Sequence, residues 1–170
     1  MEYISTKDTT KHVRKALKHY FPRVKFSVRS ECYSGGSSIH VAWTDGPRTQ
    51  VVERIAKAYE GADFDGMIDL KTNHSSVLVN ESGPREVQFG ADFVFCQRSI
   101  SRQDDLQAQA AEIIRQRCKT QGAQPYDRFG DWAVLDLAKA MVFALDFEKG
   151  TTLQDAFREI VLREREEVAS

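Results

Sequence analysis

An α+β fold, with a mainly antiparallel sheet, two covering helices and a helical C-terminal part, is the architecture this sequence predicts. Three observations carry it. Apolar residues recur at helical spacing in two stretches, around Thr9–Tyr20 and Val51–Tyr59. Between and after these stretches, β-branched and aromatic residues alternate with polar ones, as in Ile39, Val41 and Trp43 around His40 and Ala42. From Ser101 onward the alternation disappears and helical periodicity takes over.

The elements follow in chain order. Ser5 and Asp8 make an S-x-x-D start signal, so a helix is expected over 7–20, with Thr9, Val13, Ala16, Leu17 and Tyr20 inward and Pro22 ending it. Val24, Phe26 and Val28 alternate with Lys25, Ser27 and Arg29, which predicts a strand. The small residues of Glu31–Ser38 join it to the Ile39–Trp43 strand as a hairpin. Thr44-Asp-Gly-Pro47 is a turn that starts a second helix, with Val51, Val52, Ile55, Ala58 and Tyr59 inward and Gly61 as its stop. Ala62–Gly66 reads as a loop leading to a short apolar segment, Met67–Leu70. Val77–Val79 and the longer stretch Val87–Cys96 read as a second strand pair, with Val87, Phe89, Ala91, Phe93 and Phe95 on one face. The order is therefore α-β-β-α-β-β. The C-terminal part has a helix opened by Ser101 and Asp104, a polar stretch at 121–131, an apolar helix from Trp132 to Phe147, and a last helix opened by Thr151, Thr152 and Asp155. These limits give an α+β domain over 1–100 and a helical region over 101–170 packed on it.

Composition narrows the class. At 170 residues, 41% apolar and 29% charged, the chain can bury a core of its own and is not a disordered tail. Its first fifteen residues are polar and lack the apolar stretch of a signal peptide, and no apolar stretch reaches the roughly 18–20 residues that cross a bilayer. A cytoplasmic protein without membrane contact is expected. Three widely spaced cysteines, Cys32, Cys96 and Cys118, fit neither a disulfide framework nor a zinc knuckle.

The net charge of −1 hides an asymmetry. Residues 1–30 contain eight Lys and Arg against Glu2 and Asp8, an excess of six positive charges, so the remainder carries an excess of seven negative ones. Lys7, Lys11, Arg14, Lys15 and Lys18 fall on one stripe of the first helix, and Lys25 and Arg29 continue it along the first strand. Such a surface suits a nucleic-acid backbone or an acidic protein face. Beside it, Tyr33, Ser34, Gly35 and Gly36 form a small-residue loop whose backbone N–H groups suit contact with a partner. That loop lacks the Gly-Lys-Ser/Thr ending of a P-loop and joins two strands, not a strand to a helix.

Several strings in one order resemble a known family. These are Tyr3-Ile-Ser-Thr-Lys-Asp-Thr9, Val24-Lys-Phe-Ser-Val-Arg-Ser30, Tyr33-Ser-Gly-Gly-Ser-Ser-Ile39, Val41-Ala-Trp-Thr-Asp-Gly-Pro47, Phe64-Asp-Gly-Met-Ile-Asp-Leu70 and Phe89-Gly-Ala-Asp-Phe-Val-Phe-Cys96. Together they resemble the large polyvalent protein-associated domain, type 29, over residues 3–101. The resemblance implies a protein of a plasmid, phage or other mobile element. It brings no catalytic residues with it.

The remaining chemistry is thin. His12, His19, His40 and His74 include no HExxH or H-x-x-x-H pair, so no metal is expected. Asp63, Asp65 and Asp69 surround Gly66 but lack the closing Glu of an EF-hand loop, and loop chemistry accounts for them better than catalysis. Cys32 has no identifiable His and Asn set to activate it. The expectation is a non-enzymatic binding protein without cofactor. Its implied role is inhibition of a host nucleic-acid-targeting defence protein or ribonucleoprotein complex, of anti-CRISPR or anti-restriction type. The alternative is a direct nucleic-acid-binding module for replication or transfer.

Overall fold

A computed structural model describes residues 2–65, 70–80, 83–120 and 131–169. It is α+β, and its chain divides into two compact units, one of residues 1–44 and 49–99, the other of Asp45–Arg48 with 100–170.

In the first unit a short strand β1 (Glu2–Ile4) leads into helix α1 (Thr6–Tyr20). Ser5 caps α1 as its sequence signal predicts: its Oγ accepts from the Asp8 N–H at 3.2 Å and donates to the Asp8 carboxylate at 2.7 Å. Val13 and Leu17 are buried, with Thr9 and Thr10. The two threonine hydroxyls donate back to the Ser5 and Thr6 carbonyls, which satisfies them without water. The next strand, β2 (Ser27–Tyr33), begins later than its alternation predicts, because Val24 and Phe26 are half-buried in the turn region before it. It pairs antiparallel with β3 (Gly36–Thr44) around a two-residue turn, Ser34–Gly35. Helix α2 (Thr49–Ala56) follows, prolonged by a 3-10 turn over Lys57–Tyr59 that leaves Ala58 exposed.

Strands β4 (Ala62–Asp65) and β5 (Leu70–Asn73) form an antiparallel ribbon where the sequence reads as a loop. Most of the expected Met67–Leu70 segment lies outside the described residues. Strand β6 (Ser76–Asn80) pairs with β7 (Gly83–Phe89), and β8 (Phe93–Ser99) follows. The expected single strand Val87–Cys96 is thus two strands in two sheets. Sheet β1-β7-β6 takes the first half, and sheet β2-β3-β8 takes the second, with β8 parallel to β3. The break at Gly90–Asp92 changes the phase of alternation. Val87, Phe89 and Ala91 are buried as expected, but in β8 it is Val94 that faces the core while Phe95 is exposed.

The crossover has its own bonding. The Asp92 carboxylate accepts from the Ser37 N–H at 2.9 Å, and the Asp92 N–H donates to the Ser37 carbonyl at 2.9 Å. Gly90 N–H donates to the Ile4 carbonyl at 2.7 Å, and Gly61 N–H to the Ala91 carbonyl at 2.8 Å. The main core of this unit packs α1 and α2 through Val13, Leu17, Val52 and Ala56 onto Val28, Ile39, Val41, Trp43 and Val94.

The second unit contains α3 (Gln103–Thr120), α4 (Asp131–Phe143) and α5 (Leu153–Ala169). Its core joins Ala110 and Ile114 to Val134, Ala138, Met141, Val142 and Ala156. Thr152 and Asp155 cap α5 reciprocally, with Asp155 N–H donating to the Thr152 hydroxyl at 3.2 Å and Thr152 N–H to the carboxylate at 3.1 Å. Ser101 instead bonds Asp45 through its N–H (2.8 Å) and hydroxyl (2.5 Å), so it does not form the expected cap with Asp104. The Arg48 guanidinium makes two parallel bonds to Glu159, at 2.9 and 2.6 Å.

Two measurements test this packing. A Cβ on Gly61 would lie 1.8 Å from the Phe89 carbonyl oxygen, whereas one on Gly35 meets open space. Gly61→Ala is therefore expected to cost about 3 kcal/mol in urea unfolding, with Gly35→Ala close to wild type. Hydrogen bonds from Arg48 hold the Glu159 carboxyl below its ordinary value of 4.5, against the opposing effect of burial. A depressed carboxyl stabilises fully above the unfolded-state value and loses that contribution as pH falls through the folded-state value. Glu159→Gln is expected to cost about 1–2 kcal/mol at pH 7, and its unfolding curve should converge on wild type in acid below that range.

Candidate binding surface

The buried side of α1 is fixed by Thr9, Thr10, Val13 and Leu17, which forces Lys7, Lys11, Arg14, Lys15 and Lys18 outward. Lys11 is paired internally, 2.7 Å from Asp8, and the hydrogen bond from Lys11 is the main cause that lowers the Asp8 carboxyl below its usual value. Arg14 reaches across to β2 and donates to the Val28 carbonyl at 2.5 Å. Because β2 is an edge strand, this bond places a guanidinium against backbone that no neighbouring strand covers.

Arg14, Lys18 and Lys25 then open around one groove of about 350 Å³, with Pro22, Val24, Phe26 and Val28 as its apolar lining. Lys15 lies elsewhere, in a second cleft of about 610 Å³ with Glu2, Asp8, His12 and Arg85, where Arg85 is 3.2 Å from Glu2. The stripe therefore serves two flanks of α1. Arg29 is exposed on β2, further along from Lys25. Tyr33, Ser34 and Gly35 are exposed at the hairpin tip and Gly36 starts β3, but six residues of extended strand, about 20 Å, separate Tyr33 from Ser27 at the groove end. Groove and tip are distinct places.

The model of the large polyvalent protein associated domain 29 matches residues 4–101. This chain belongs to that family. No curated protein and no solved structure matches the chain. The family links the chain to the polyvalent proteins of mobile elements and phage. The matched stretch of the domain-29 family contains α1, the groove, the hairpin and strands β2 to β8, and takes in the last residue of β1.

Within the family region, the histidines do not assemble into a metal centre. His12 stacks on Tyr59 at 6.4 Å, His19 meets Tyr20 edge-on at 5.3 Å, and His40 lies on Phe95 at 5.3 Å. Among the described residues, no three His, Cys, Asp or Glu side chains are grouped to hold a metal ion. The side chains of Asp63 and Asp65, and all of Asp69, lie outside the described residues. No helix among the described residues is long and apolar enough to cross a membrane.

The alternation of Ile39, Val41 and Trp43 put His40 on the polar side of its strand, but Phe95 was not singled out as a surface residue, since the continuous alternation of 87–95 placed it on one face with Val87, Phe89 and Ala91. A signal was present in Gly90 and Asp92, two poor strand formers inside that stretch. The cysteines separate by environment: Cys32 is exposed, whereas burial pushes the Cys96 thiol up to about 11. At pH 8 Cys96 therefore stays in its unreactive thiol form. Iodoacetamide is expected to label Cys32 well before Cys96, with Cys96 reacting at full rate after unfolding. Mass spectrometry of peptides from a timed reaction measures this.

Proposed function

We propose that this chain is a non-catalytic binding protein of a mobile element that inhibits a host nucleic-acid-targeting defence complex, of anti-CRISPR or anti-restriction type. The observation that carries the reading is the groove in which Arg14, Lys18 and Lys25 surround an apolar lining. Such a site combines two terms. The cations steer and orient an anionic surface, and Val24, Phe26 and Val28 supply area whose desolvation adds affinity. Complexes that handle nucleic acid carry exposed phosphate, the anionic group that such a groove can take. A net charge of −1 with a cationic first helix fits docking onto such a surface better than imitation of DNA, which requires a strongly acidic exterior.

The second reading, a direct nucleic-acid-binding module for replication or transfer, draws on the same cations. It differs in its salt dependence, because phosphate contacts release counterions and weaken steeply as salt rises.

The test is charge reversal at two exposed positions that make no bond to β2. Lys18→Glu combined with Lys25→Glu is expected to lower protection of a phage or plasmid against an active host defence system by about 10–100-fold. Circular dichroism should match wild type, since neither side chain is in the core. Full protection by the folded double variant would remove the groove from the mechanism.

A further inference from the structure

Sheet β2-β3-β8 buries one face under α1 and α2, while on its other face Arg29, His40, Ala42, Phe95 and Gln97 are exposed, with Ser38 buried and Phe93 half-buried. Register shows what stands there. Arg29 pairs with His40, and His40 with Phe95, so these three side chains form one row across the strands. The adjacent row is Glu31, Ser38 and Phe93. The rings of His40 and Phe95 are 5.3 Å apart and inclined by 31°, and Phe93 follows at 6.3 Å from Phe95. Phe95 is 53% exposed, too open for a core residue and seated among other rings, unlike an isolated surface phenylalanine. Ala42 and Gln97, one pair further along, are exposed as well.

Charge decides what fits this face. Arg29 is exposed on this face of β2 and Lys25 is exposed just before the strand, while Arg14 and Lys18 reach the β2 edge from the side that α1 covers. Against them, Glu31 is the acid among the described residues of the open face, 3.6 Å from His40. A ligand with an anionic thread on one side and flat apolar plates on the other matches a cationic strand edge next to a ring platform. A double helix does not, because its base faces are stacked out of reach.

We infer that the open face of this sheet binds single-stranded nucleic acid, with phosphates along the β2 cations and bases stacked on His40 and Phe95. This rests on the docking surface proposed above and names what it grips: unpaired strand carried by the defence complex.

The experiment measures fluorescence anisotropy of labelled oligothymidine and oligouridine of about 16 nucleotides, and of a duplex of equal length, with the full chain in low and moderate salt. Single strands are expected to bind more tightly than the duplex. Phe95→Ala is expected to weaken them by about 5–150-fold, the loss of one stacked base. Phe95→Leu keeps the apolar bulk and should show most of the same loss, which separates stacking from any fault in folding. Equal binding by duplex and single strand, or wild-type affinity in Phe95→Leu, overturns the inference. So does the absence of oligonucleotide binding, and if the Lys18→Glu, Lys25→Glu variant has then lost its protection, the docking surface stands without the platform. Conversely, strand binding that needs Phe95, with protection unaltered by that double variant, supports the platform and removes the groove.

Discussion

The exchange of hydrogen bonds between Ser37 and Asp92 sits where the chain leaves one sheet and enters the other. Asp92 accepts from the Ser37 N–H and donates its own N–H to the Ser37 carbonyl, which fixes β8 against β3 one residue before their ladder begins at Ser38 and Phe93. The Ser37 hydroxyl adds a bond to the Gly90 carbonyl at 2.5 Å, and Thr6, the first residue of α1, donates to the same carbonyl at 2.8 Å. The start of the cationic helix, the middle strand and the crossover thus meet at one point. Val94 N–H finishes the arrangement by donating to the Glu60 carboxylate at 2.7 Å, which brings in the end of the α2 segment. Buried backbone at such a crossing must find partners or lose about 1–3 kcal/mol per group. Here they come from side chains that are distant in sequence. Everything proposed for the surface depends on this crossing, because it sets which residues of β8 face the core and which face outward.

Much of the fold was legible where a physical rule acts locally. The Ser5 cap, the Thr152–Asp155 cap, the inward Val13 and Leu17, and the Ile39–Val41–Trp43 alternation each follow from short-range chemistry and appear as the sequence predicts. What failed to show was long-range. Three residues, Glu2–Ile4, are too few to reveal a period, and β1 exists because β7 offers it a parallel partner. The split of 87–96 between two sheets likewise depends on Ser37, more than fifty residues earlier. Ser101 looked like a cap because its spacing to Asp104 was right, yet Asp45 takes its hydrogen bonds.

The candidate surface shows the same division. Periodicity alone placed the lysines of α1 on one exposed stripe, and they are exposed. Their grouping was not readable, because it depends on where β2 lies. Arg14 is drawn to the Val28 carbonyl and Lys18 and Lys25 to one groove, while Lys15 faces the cleft beside β6 and β7. A helix stripe of five cations is thus resolved by its neighbours into two electrostatic environments. On the open face, a continuous alternation concealed Phe95, and the two residues that interrupt it, Gly90 and Asp92, were the only local hint.

The turn Asp45–Arg48 gives the chain an unusual economy of parts. It lies inside the family stretch 4–101, yet Phe147 N–H donates to the Gly46 carbonyl at 3.0 Å and Arg48 is clasped by Glu159. The span that is recognisable by descent is therefore not the span that closes on itself physically. Four residues of the family stretch belong physically to the helical unit, so a copy of residues 4–101 alone would carry away Arg48 without Glu159, the carboxylate it clasps.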